Sequence, residues 1–319
     1  MDLLPAGQIG VRVEGCGPPV VLLHGSMSSK SQWRELIESL RDSYWLIAID
    51  LLGYGEVSAP RSGESYSLAD EVRRVESVLA RELEPGQQFH LIGHSFGGMV
   101  ALQLAMQSRR VRSLAVFEPV DFHLLPAGDP DLAIVEAVWR EIADRLKAGD
   151  ARGGAARFVD YWSGPGAFAQ LREERQATLA TQVRKLLLEL RAVADQSRDV
   201  AAYRRIAVPT CLVAGGFSPA PAHRLMSMFA ELLPHASCFE VEAGHMAPIT
   251  HAALVNPIFE EFIRAVDAGE NRRAAPGIQE RPMAIPQFSE MTTVVRGSGW
   301  SRAIAFGLSG GPFEIEYPI

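Results

Sequence analysis

Gly93-His94-Ser95-Phe96-Gly97 is the segment of this chain best suited to covalent chemistry. It matches G-x-S-x-G between an apolar run that reads as a strand, residues 89–92, and a stretch with helical character, residues 96–107. A sharp strand-to-helix turn strains the serine backbone and demands small residues two before and two after it. The hydroxyl then projects from the strand end, at the positive end of the following helix. A serine hydroxyl is a weak nucleophile until a base takes its proton. Among the eight histidines, His245 combines a late position, a strand end and a flanking glycine, in Ala243-Gly244-His245-Met246. A histidine on such a loop can reach over a sheet to a serine.

Acyl transfer also needs two preorganised donors for the developing oxyanion. One is expected from the backbone N–H of Phe96. The other is expected from Leu22-Leu23-His24-Gly25-Ser26, a buried strand ending in His-Gly, with Ser26 N–H the first choice and Met27 the alternative. Gly25 lets the backbone approach a substrate closely. His24 is read as structural, bonding loop backbone rather than acting as the base.

These groups need a scaffold that gathers distant segments at one edge. Residues 20–23, 44–49, 89–92 and 111–117 are apolar runs, as expected of strands buried on both faces. Residues 8–14 alternate and read as a further strand. Helical patterns fill the gaps at 29–40, 67–83 and 96–107, with Ser67, Asp70 and Glu71 marking a helix start. The alternation predicts a mostly parallel central sheet with helices on both faces. It breaks at residues 121–205, where helices are expected at 132–146, 155–162, 168–178 and 179–194, separated by Gly153-Gly154 and Gly164-Pro165-Gly166. It resumes with strands at 210–213 and 238–241 and helices at 221–233 and 251–266. The predicted organisation is a core of residues 1–120 and 206–268, a helical insertion at 121–205, and a C-terminal extension at 269–319. That extension has candidate strands at 291–295, 302–308 and 313–317.

Composition narrows the functional classes. The chain has 319 residues, 47% hydrophobic and 22% charged, and a formal charge of −7, which fits an ordinary globular enzyme. No basic block stands out to neutralise phosphates, so no nucleic-acid partner is expected. The three cysteines form no disulfide framework. No metal-binding cluster and no cofactor motif are visible. No signal peptide or membrane-spanning run is read, so the expected setting is cytoplasmic, with a small-molecule substrate and no membrane partner. Association into homo-oligomers stays open.

Taken in order, the His-Gly at 24–25, Asp50-Leu-Leu-Gly-Tyr-Gly-Glu-Val-Ser58, the Gly-His-Ser-Phe-Gly at 93–97 and the Gly-His at 244–245 resemble the α/β-hydrolase superfamily, in particular its small esterase, lactonase and C–C-hydrolase-like members. The resemblance covers about residues 8–268. It implies an α/β-hydrolase fold with an inserted helical cap, and a structural Asp50. In haloalkane dehalogenases and epoxide hydrolases of this fold a carboxylate stands where this chain has Ser95. The family commonly places an Asp after the strand at 210–213; here that position is Ser218, with no acid nearby. Some relatives take the acid from the end of the preceding sheet strand, which here makes Glu118 the expected acid and Asp121 the runner-up. The order Ser95, Glu118, His245 keeps the nucleophile–acid–base order of the fold.

The implied mechanism is a Ser-His-Glu triad working through an acyl-enzyme. The cap would exclude water and shape specificity. Most of its aromatic residues (Trp139, Phe158, Tyr161, Trp162, Phe168) are read as packing, with Met27, Trp162 and Met246 expected to line a largely apolar pocket. The leading expectation is hydrolysis of a small carboxylic ester, thioester or lactone. The alternatives are C–C bond hydrolysis of a diketone-like substrate, or a non-hydrolytic lyase or ligand-binding protein on the same fold.

Overall fold

Strands without polar side chains on either face belong in a sheet covered on both sides, and the apolar runs of this chain form one. The computed structural model describes residues 10–60, 65–194, 199–269, 300–306 and 312–318. β1 (Val11–Gly15), β2 (Pro19–Leu23), β3 (Trp45–Ile49), β4 (Phe89–His94), β5 (Val111–Phe117), β6 (Thr210–Gly215) and β7 (Ala236–Val241) make one seven-stranded sheet. Its order is β1-β3-β2-β4-β5-β6-β7. β1 runs antiparallel to β3, and every other pairing is parallel.

The period of two along each strand sorts side chains to opposite faces. Along β2, Val20 and Leu22 pack with Trp33, Ile37 and Phe259, while Val21 and Leu23 pack with Val75, Met99 and Phe229. The first face is covered by α1 (Arg34–Leu40) and by the chain's last long helix. The second is covered by α2 (Leu68–Glu82) and α3 (Phe96–Gln107). The start of α2 is the capping box that Ser67 and Asp70 suggest: Ser67 N–H donates to Asp70 Oδ2 at 2.8 Å.

Between β5 and β6 the chain is helical, with α4 (Pro130–Lys147), α5 (Ala151–Ser163) and α6 (Glu173–Ala194). Two expectations are corrected here. Gly153-Gly154 does not separate helices but lies in the first turn of α5. Asp150 accepts from Gly153 N–H at 2.7 Å there, and Gly154 lies against α6, where a Cβ would stand 3.4 Å from Val183. The expected helices at 168–178 and 179–194 are instead a short 3-10 turn, Phe168–Gln170, followed by one continuous α6. No glycine or proline interrupts 173–194, so nothing ends the helix at 178.

After β6 come α7 (Ala220–Leu232), then β7, the short α8 (Ala247–Thr250) and α9 (Ala252–Asp267). Residues Ala284–Ile319 form a second unit. Its described part is an antiparallel pair, β8 (Trp300–Phe306) and β9 (Pro312–Pro318). The strand expected at 291–295 lies outside the described residues. Among the described residues, no helix is long and apolar enough to cross a membrane.

Candidate active site

The C-terminal ends of parallel strands are where this architecture can gather side chains from distant segments. Ser95 follows β4, Glu118 follows β5, His245 follows β7, and Ser26 follows β2. Ser95 sits at φ 55°, ψ −120° as the residue before α3. Among the described residues only Met27, Ser95 and Glu118 are non-glycine residues with positive φ, and all three lie at this edge. Such conformations cost on the order of 1–3 kcal/mol each and persist where surrounding structure over-determines them. The flanking glycines are obligatory. A Cβ on Gly97 would stand 2.3 Å from the His24 carbonyl oxygen, and one on Gly93 would stand 2.6 Å from the Gly97 carbonyl oxygen.

The three side chains meet. Ser95 Oγ lies 2.9 Å from His245 Nε2. His245 Nδ1 lies 2.7 Å from Glu118 Oε2. With Glu118 ionised the carboxylate can only accept, so Nδ1 carries the proton and Nε2 accepts from the Ser95 hydroxyl. Glu118 has two further donors: Gly215 N–H donates to Oε1 at 2.7 Å and Ser218 Oγ donates to Oε2 at 2.9 Å. Ser218 therefore braces the same carboxylate that His245 bonds. Asp121 is buried and engaged by the Tyr203 hydroxyl.

Burial opposes the ionisation of both groups. Desolvation pushes the Glu118 carboxyl up to about 7, against the downward pull of its Gly215 and Ser218 donors. Desolvation also holds the His245 imidazole below its ordinary value. The two groups titrate as a unit. A buried Glu⁻–His pair carries net negative charge, so it takes up a first proton near neutrality and a second one only at much lower pH.

Two further contacts on His245 have no signature in the sequence. His94 Nε2 donates to the His245 carbonyl at 2.9 Å, fixing the loop that carries the imidazole. From α5, Trp162 stacks on the imidazole with ring centroids 3.7 Å apart and planes 24° apart. Both pairings join segments far apart in the chain, so local pattern does not reveal them. His24 bonds its own loop: Nδ1 donates to the Gly25 carbonyl at 2.7 Å, and Nε2 accepts from Leu51 N–H at 3.0 Å. Asp50 accepts from Lys30 N–H, Lys30 Nζ and Glu56 N–H, tying down the loop after β3.

A cavity of about 450 Å³, including its open mouth, lies over Ser95. Ser26 and Phe96 stand in its wall beside Ser95, and α4, α5 and α6 supply most of the rest, including Trp139, Phe158 and Trp162. Phe96 is the first residue of α3, where an N–H has no intrahelical acceptor. Met27 is buried in the core and Met246 packs against it, and neither stands in the cavity wall. Sequence reading did not single out Glu189 of α6. It is buried, lines the cavity, and accepts from Ser26 Oγ at 2.6 Å and from Lys185 Nζ at 2.8 Å. Lys185 in turn donates to Glu71 at 3.1 Å and to the Tyr66 hydroxyl at 2.9 Å. Glu189 and Lys185 are one helical turn apart on α6, a spacing that reads equally well as an exposed pair. Among the described residues no cluster of three or more His, Cys, Asp or Glu side chains is placed to hold a metal ion.

A family model described as the alpha/beta hydrolase fold matches residues 18–252. The chain is 29% identical over 264 residues, 77% of this chain and 90% of the relative, to a protein of Bacillus subtilis (strain 168) named "Putative 2-succinyl-6-hydroxy-2,4-cyclohexadiene-1-carboxylate synthase". It is 35% identical to the soluble epoxide hydrolase of Corynebacterium sp. (strain C12) over 117 residues, 36% of this chain and 39% of that one. Among solved structures, a hydrolase from Pseudomonas aeruginosa PA01 superposes with a TM-score of 0.65 at 24% identity, covering 79% of this chain and 93% of the other.

Proposed function

The chain belongs to the alpha/beta hydrolase family and is an enzyme of the hydrolase type, and within that family we propose that it is a serine hydrolase cleaving small, largely apolar carboxylic esters, thioesters or lactones. The observation that carries this reading is the hydrogen-bonded chain Ser95–His245–Glu118 beneath an apolar cavity. His245 Nε2 takes the Ser95 proton as Oγ attacks the substrate carbonyl carbon. The carbonyl oxygen becomes an oxyanion held by the backbone N–H groups of Phe96 and Ser26. Collapse of this intermediate breaks the bond to the leaving group, which receives the proton from His245, and leaves Ser95 acylated. Water then attacks the acyl-enzyme, giving its proton to His245, and Ser95 leaves with that proton restored. Glu118 fixes the imidazole tautomer and stabilises the transient imidazolium. Helices α4, α5 and α6 serve as a cap that keeps bulk water from the acyl-enzyme.

The name of the Bacillus subtilis relative favours a second reading, a synthase forming a cyclohexadiene carboxylate. Ester hydrolysis stands first because, among the described residues, the cavity wall carries no Lys or Arg to pair with a substrate carboxylate. The deciding experiment measures turnover of 4-nitrophenyl esters of short neutral acids together with labelling by a fluorophosphonate. The wild-type enzyme should turn over with a burst and be labelled at Ser95. Ser95→Ala should lose both while keeping its fold by circular dichroism. Retained turnover in folded Ser95→Ala would overturn the assignment.

A further inference from the structure

This inference rests on the acyl-transfer reading above and concerns which acyl groups the cavity accepts. Among the described residues the wall holds one ionisable carboxyl, Glu189, and no Lys, Arg or His side chain. Arg175, which donates to the Met27 carbonyl at 2.9 Å, is not in the wall, and neither is Lys185. Lys185 is buried behind Glu189 and already shared between Glu189 and Glu71. Its ammonium also lies 5.0, 4.5 and 5.2 Å from the centres of the Tyr54, Tyr66 and Phe96 rings. The remaining polar groups in the wall are neutral. They are the Ser26 and Ser95 hydroxyls, the Trp139 and Trp162 indoles and the Tyr161 phenol.

We propose that Glu189 is a specificity-determining residue that restricts the cavity to uncharged acyl groups, including those with a keto or hydroxyl substituent, and excludes acyl groups bearing a second carboxylate. The physical basis has two parts. An anion taken from water into this wall finds no cationic partner, and an unpaired buried charge is costly. It also meets a carboxylate fixed in place by Ser26 and Lys185, a like-charge contact built into the site. Burial and the neighbouring Glu71 push the Glu189 carboxyl up, while Lys185 and Ser26 pull it down. In either protonation state no described wall residue is a cation, so the first penalty stands at all pH values and the second grows as Glu189 ionises.

The test uses two esters that differ in little except charge: 4-nitrophenyl levulinate, with a terminal methyl ketone, and 4-nitrophenyl hemisuccinate, with a terminal carboxylate. Spontaneous hydrolysis is subtracted for each. Wild-type kcat/KM should favour levulinate by at least about 100-fold, the scale of a like-charge contact worth a few kcal/mol. Glu189→Gln, which keeps the shape and removes the charge, should narrow that ratio by about tenfold or more, mainly through a lower KM for hemisuccinate. Its fold is checked by labelling of Ser95 with a neutral phosphonate. A wild-type ratio near unity would overturn the proposal without need of a variant. A folded Glu189→Gln enzyme with an unchanged ratio would overturn the assignment to Glu189. Absence of turnover with both esters and of Ser95 labelling would instead overturn the underlying acyl-transfer reading.

Discussion

Glu118 is the residue on which the proposed chemistry is most exposed to test, because its carboxyl is both the sole acid on His245 Nδ1 and shifted upward by burial. Glu118→Gln should lower kcat by roughly 10³–10⁴, the scale of losing a triad acid, while Asp121→Asn should not, since Asp121 bonds Tyr203 instead. The pH profile adds a signed expectation. The wild-type pair takes up its first proton near pH 7, so kcat/KM should fall as pH drops through about 7. In Glu118→Gln the imidazole is the only group left to protonate, and burial lowers its pKa. The acid limb of the residual activity should therefore move below pH 6.5, the unperturbed imidazole value. A limb that stays in place would mean that Glu118 does not titrate with His245. Ser95 and His245 were legible in the sequence because each carries a local signature, small residues on both sides of one and a strand end with a glycine before the other. Glu118 was legible mainly through what is missing at Ser218, together with its place at the end of the preceding strand. Glu189 and the stacking of Trp162 were not legible, because their meaning depends on partners more than 80 residues away.

At the scale of elements, the junction between β4 and α3 sets the site. α3 approaches β2 so closely that a side chain on Gly97 would meet the backbone carbonyls of His24 and Leu23 at 2.3 and 2.5 Å. Backbone atoms in a central strand cannot retreat as a flexible side chain can. Gly97→Ala should thus destabilise the protein by about 1–3 kcal/mol, as overpacking does, and should reduce phosphonate labelling of Ser95 even below the melting transition. A variant with wild-type stability and labelling would show that the junction tolerates bulk and that the glycine is not obligatory. The sheet strands were readable because strands buried on both faces are continuous apolar runs. Strand β7 was less so, since its half-buried pattern is that of an outer strand. The helices of the insertion were found but misdivided. A glycine pair breaks an isolated helix, yet here Asp150 caps the turn and packing against α6 uses the missing side chain at Gly154.

Across the whole molecule, the proposed triad draws on segments of unequal security. Ser95 and Glu118 stand on neighbouring strands, β4 and β5, in the middle of the sheet, where the ladder itself sets their spacing. His245 comes from the loop after β7, the outermost strand, whose single neighbour is β6. Outer strands fray at lower free energy than central ones. Hydrolytic activity should therefore vanish at a lower urea concentration than the one that abolishes the circular dichroism signal; coincident midpoints would mean that the β7 edge unfolds only with the rest. The enzyme would then carry its own fuse: mild stress withdraws the base first, silencing the serine while the protein remains folded and able to recover.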